Sequence, residues 1–78
     1  MAATREDIRA WLGQAKMRGV SHMVVMCDTY DHSDYPIYTN DPHKTAYEAG
    51  SMQRLMEVYS LSLDIEGQLS ERRAFHWE

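Results

Sequence analysis

Residues 22–39, His22-Met-Val-Val-Met-Cys-Asp-Thr-Tyr-Asp-His-Ser-Asp-Tyr-Pro-Ile-Tyr-Thr39, decide how this chain folds. Residues 21–27 read as a β-strand. Met23, Val25 and Cys27 face one way, and His22, Val24 and Met26 the other. Both faces are largely apolar, which predicts a central strand covered on both sides by helices or by a partner subunit. Tyr35–Thr39 reads as a second strand, and Pro36, which has no amide proton, suits an edge or a strand start. The seven residues between the two runs predict a hairpin loop longer than the tightest turns. That loop carries Asp28, Asp31 and Asp34, spaced three apart, with Tyr30 and His32 among them. Acid, imidazole and phenol are therefore expected at one hairpin tip.

A lone hairpin makes a poor sheet, so a third strand is expected at about Arg54–Ser60. The competing reading of that region is one long helix over Ser51–Ala74, because Met52, Leu55, Met56 and Tyr59 also fit a helical stripe. Residues 4–18 predict a first helix. Thr4 is its N-cap, Asp7 completes a capping box, Ile8, Trp11, Leu12 and Ala15 form its apolar face, and Gly19 ends it. Asp41-Pro42 starts a short helix running to about Ala49, with Gly50 as the stop. A last helix is expected from Leu63 to about Arg73, burying Leu61, Ile65 and Leu69, with Arg72 and Arg73 at its negative end. The fold class is α+β: a small three-stranded, largely antiparallel sheet packed with two or three helices in the order α-β-β-α-β-α.

With 78 residues the chain has room for one domain, residues 1–78, and a core small enough that pairing with a second copy is a natural source of stability. The doubly apolar first strand, six methionines and an aromatic C-terminal run point the same way, toward a homodimer or higher homo-oligomer. A formal net charge of −4 argues against duplex nucleic acid, which is bound by positive charge that displaces counterions. No apolar run approaches the length of a membrane span, and the N-terminal residues lack the pattern of a signal peptide, so a cytoplasmic protein without membrane association is expected. The single cysteine, Cys27, excludes an internal disulfide.

Chemistry is thinly signalled. Asp28, Asp31, Asp34 and His32 are divalent-cation ligand types, but their spacing does not match an EF-hand, and polar turn residues commonly serve their own backbone. His22, His32, His43 and His76 show no zinc spacing. Cys27 has no evident cationic activator nearby and reads as an inert thiol, while a pairing in space with His32 or His76 stays open. No nucleophile elbow, phosphate-binding glycine loop or dinucleotide fingerprint occurs. No cofactor and no resident metal are expected. Aromatic and arginine side chains are more suggestive, because interfaces favour them. Tyr30, Tyr35, Arg54, Arg72, Arg73 and Trp77 join Asp28, Asp31, His32 and Asp34 as candidate partner- or ligand-binding residues. The ending Phe75-His76-Trp77 must dock either on its own domain or on a partner.

The pattern His22-Met-x-Val-x-Cys-Asp-Thr-x-Asp-x-x-Asp-Tyr-Pro-x-Tyr38 resembles a group of small proteins encoded by bacteriophages and prophages. Met52-Gln-Arg-x-Met-Glu-Val-Tyr-x-Leu-Ser-Leu-Asp-Ile-Glu66 and Arg73-Ala-Phe-His76 look like the same group. The resemblance implies a phage accessory protein made in the bacterial cytoplasm, and it brings no catalytic residue with it. Such proteins often inhibit a host factor or sequester a small defence signal.

The leading expectation is therefore a non-enzymatic binding protein of anti-defence type. One version covers a host protein with the acidic, aromatic hairpin and the C-terminal tail. The other encloses a nucleotide-like signal between subunits, with Arg54, Arg72 or Arg73 on phosphate and tyrosines on the base. The alternatives are a small metal-dependent hydrolase using Asp28, Asp31, His32 and Asp34, and a virion structural or assembly protein.

Overall fold

Thr4 starts the chain's longest helix in the way its sequence requires. In the computed structural model, which describes residues 3–78, its hydroxyl accepts the Asp7 amide while the Asp7 carboxylate accepts the Thr4 amide. This capping box opens α1 (Arg5–Arg18), and Gly19 closes it at a φ of 72°, a left-handed conformation that costs glycine little. The strands are β1 (His22–Asp28), β2 (Ser33–Thr39) and β3 (Gln53–Ser60). All pairing between them is antiparallel, in the order β2-β1-β3. The α+β class, the element order and the central position of the first strand all agree with the sequence reading. Pro36 lies on β2, an edge strand. The long-helix alternative for Ser51–Ala74 is wrong: β3 occupies its first half.

Alternation along β1 divides the core in two. Met23 and Val25 pack on one face with Tyr59, with Ile8, Leu12 and Ala15 of α1, and with Leu69 and Ala74. Val24 and Met26 pack on the other with Val58, flanked by Tyr35, Ile37, Leu55, Ala49 and Trp77. Met23, Val24, Val25, Met26, Val58 and Tyr59 are fully buried, each worth about 1.5–3 kcal/mol in apolar burial. The exposed ion pairs of Arg9 with Glu6 and Glu66 are screened by solvent and add little, so the apolar layers dominate. The β1–β3 register slips between Val25 and Met26, which leaves Met56 without a partner on β1. Such a bulge puts two residues, Met56 and Glu57, opposite one and increases the local twist.

Three boundaries differ from expectation. The hairpin loop is Thr29–His32, four residues rather than seven, because Asp28, Ser33 and Asp34 pair within the strands. The short helix α2 (Pro42–Tyr47), capped by Asp41, ends two residues early, at a Glu48 C-cap. The last helix, α3, covers only Ile65–Leu69. Asp64 caps it through the Gly67 amide, its last turn tightens to a bond from the Glu71 amide to the Gln68 carbonyl, and beyond it the Glu71 and Arg72 carbonyls accept hydrogen bonds from Arg5. Arg72 and Arg73 therefore lie beyond the helix. Leu69 is buried as expected, while Leu61 and Ile65 are half-buried against the same cluster. Among the described residues no helix is long and apolar enough to cross a membrane.

Candidate functional site

The hairpin end is built by short carboxylates that turn back on their own backbone. The Asp28 carbonyl accepts the His32 amide at 2.7 Å, and His32 closes the turn at a φ of 60°. Asp28 Oδ1 accepts the Tyr30 amide at 2.8 Å, and Asp31 Oδ1 accepts the Ser33 amide at 3.0 Å. Those bonds from Ser33 favour the charged carboxylate and hold Asp31 below the ordinary aspartate pKa. Asp34 serves elsewhere: its Oδ2 accepts the Ala3 amide at 3.0 Å, which ties the start of α1 to the sheet.

Strand pairing explains why the three aspartates do not converge. Asp28, Ser33 and Gln53 form one cross-strand row, and Cys27, Asp34 and Arg54 the next. Successive rows point to opposite faces of a sheet. Asp28 and Asp34 thus lie on different faces, and each carboxylate already holds a different backbone amide. Among the described residues no group of three or more His, Cys, Asp or Glu side chains is placed to hold a metal ion. Beside Asp34, the Cys27 thiol is pushed up by burial and by its hydrogen bond to Asp34, which disfavours the nucleophilic thiolate.

What the end does present is exposed apolar surface on a hydrogen-bonded backbone. Tyr30 is 82% exposed and Met52 52% exposed. The Thr29 amide donates to the Met52 carbonyl at 2.9 Å, so the hairpin and the loop before β3 are joined where these side chains emerge. Behind them Gln53 links the Tyr35 hydroxyl to the Gly50 amide. Tyr35 packs against the core, which makes it a support rather than a contact. Of the residues named from sequence, Asp28, Tyr30, Asp31, His32, Asp34, Tyr35 and Arg54 do come to one end of the sheet. Arg72, Arg73 and Trp77 do not join them, since they belong to the C-terminal segment that runs beside Val58. Trp77 stacks on His43 with ring centroids 4.6 Å apart and packs against the second core cluster.

Two groups escaped the sequence reading. Met52 stood out only as an ambiguous helix or strand residue. The other is a buried polar hub. Glu57 accepts Arg5 Nη1 at 3.0 Å, the Tyr59 hydroxyl at 2.8 Å and the Ala74 amide at 3.0 Å. Arg5 also donates to Tyr59 and to the Glu71 and Arg72 carbonyls. No local pattern marks partners 52 and 17 residues apart. Burial, followed by the hydrogen bond to Glu57, pushes the Tyr59 hydroxyl well above the usual tyrosine range, and the Glu57 hydrogen bond raises Arg5. The hub binds the first helix, β3 and the tail together. No pocket is present among the described residues. Compared with protein-family models, with curated proteins and with solved structures, the chain matches none.

Proposed function

We propose that this protein acts by occupancy rather than turnover, with the hairpin end covering a bacterial host protein. The observation that carries the reading is Tyr30: a large ring, 82% exposed, on a turn whose backbone is already locked by Asp28, Asp31 and the Met52 carbonyl. A backbone ordered in advance lowers the entropy lost when the ring it carries is bound, and aromatic residues dominate interface energies. The resemblance of residues 22–38 to small phage-encoded proteins supports a partner in the bacterial host and an anti-defence role.

The nucleotide-enclosing version has less support, because the arginines named for it are split between β3 and the C-terminal segment. The metal-hydrolase reading is weakened in the same way, since Asp28, Asp31 and Asp34 each serve a different amide. A virion structural role has no specific observation in its favour. Pairing of two copies in the cytoplasm is part of the proposal and rests on the small size of the core.

The test is site-specific photocrosslinking in bacterial extract. A crosslinker placed at position 30 should yield a discrete adduct, the same probe at the solvent-facing Ala10 should not, and substituting Asp for Met52 should abolish the adduct. Equal labelling from positions 30 and 10, or none from either, would overturn the proposal.

A further inference from the structure

The C-terminal run Ala74–Glu78 is bound as a ligand would be. The Val58 amide donates to the Ala74 carbonyl and the His76 amide to the Val58 carbonyl, both at 2.9 Å, so the tail lies parallel along the outer edge of β3. Ala74 is fully buried in the first core cluster. Three positions on, Trp77 covers Val24, Met26 and Val58 and stacks on His43 at an interplanar angle of 17°. The Glu78 carbonyl accepts the Ser60 hydroxyl at 3.0 Å, and His76 Nε2 meets the Glu71 carboxylate at 2.8 Å.

These are the elements of strand-addition recognition: main-chain bonds to a sheet edge, with side-chain positions alternating between two apolar faces. α2, whose buried residue is Pro42, meets Trp77 through the His43 ring. Phe75 remains 45% exposed between the two anchors.

We infer that the outer edge of β3, from Glu57 to Ser60, is a strand-accepting groove occupied in cis by the tail. In trans it accepts an extended segment of a foreign protein carrying a small residue and, three positions later, an aromatic ring. The cis occupant itself defines that chemistry. This surface is distinct from the hairpin end and independent of the function proposed for it.

The probe is a fluorescein-labelled peptide with the sequence of residues 72–78, titrated against the full chain by anisotropy. Trp77→Ala and His76→Pro each weaken the cis tail but leave the peptide intact, the first by removing the stack and the second by removing the bond to the Val58 carbonyl. Apparent affinity scales with the open fraction, so each variant should bind the peptide roughly tenfold more tightly than the unaltered chain. Circular dichroism confirms that both variants are folded. In the unaltered chain, hydrogen exchange should find the Val58 amide opening before those of β1. Peptide binding that is absent or unchanged in both variants would overturn the inference. So would Val58 exchange that tracks β1, or Val58 protection that rises with protein concentration and thereby assigns the groove to a second copy's tail.

Discussion

His32 and Asp31 show how single residues set the hairpin. His32 holds a φ of 60°, where a β-branched side chain crowds its own backbone. His32→Val should lower unfolding free energy by about 1–2 kcal/mol, and His32→Gly, which removes the same side chain without the backbone strain, should cost less. Urea unfolding of the two variants checks this. Asp31 works through charge. Its folded pKa lies below the ordinary value, so its contribution is present above the unfolded pKa and is lost as pH falls through the folded one. Asp31→Ala should therefore be less stable than the unaltered chain at neutral pH, and the gap should narrow as pH falls below the ordinary aspartate value of 3.8. Thermal melts from pH 2 to 7 read the difference. The residue pattern made the polar turn visible, but not the destination of each carboxylate. Asp34 looked like a third loop acid and proves to be a strand residue that anchors the first helix.

At the scale of elements, the hub around Glu57 fastens α1, β3 and the tail. Glu57→Ala leaves the Ala74 amide and the Tyr59 hydroxyl short of an acceptor in a buried setting. A loss of about 3 kcal/mol is expected, reduced because Arg5 is partly solvated. Arg5→Ala should cost less than Glu57→Ala. Equal losses in urea unfolding would mean that the ion pair, not the buried acceptor, matters. The Tyr59 pKa is raised on folding, so its contribution is complete below the unfolded tyrosine value near 10 and is lost as pH rises through the folded value. Tyr59→Phe should flatten the decline in melting temperature above pH 10. The first two helix starts were legible in advance because Thr4 and Asp41 cap with their own side chains, a local interaction, whereas the third helix starts at Ile65 behind an Asp64 cap, two residues after the expected Leu63. The short reach of α3 was not legible, because the chain beyond it is held by Arg5, a residue far away in the sequence.

For the whole molecule, a sheet with apolar layers on both sides and one uncovered edge strand has to avoid uncontrolled pairing. Pro36 on β2 blunts that edge, since it offers no amide to an incoming strand. Pro36→Val should increase concentration-dependent aggregation, seen as rising light scattering on incubation at 37 °C. The proposed pairing of two copies is a separate matter. Light scattering at micromolar concentration should give twice the chain mass of 9.1 kDa, and a monomer mass would remove that part of the proposal.

Local chemistry determined the first helix, the hairpin with its central strand and the caps at Thr4 and Asp41, while the third strand followed from a hairpin's need for a further strand. Alternation, apolar spacing and side-chain capping act over a few residues and can be read without knowing what lies across the fold. Tertiary structure decided which aspartates meet, that Arg72 and Arg73 stay apart from the hairpin, that Trp77 folds back over Val58, and that Glu57 sits at the centre of a polar hub. Each of these depends on strand register and on contacts between residues far apart in the chain. A one-residue shift of register reverses the face of every side chain in a strand, and nothing within a single segment records which partner its polar groups will find.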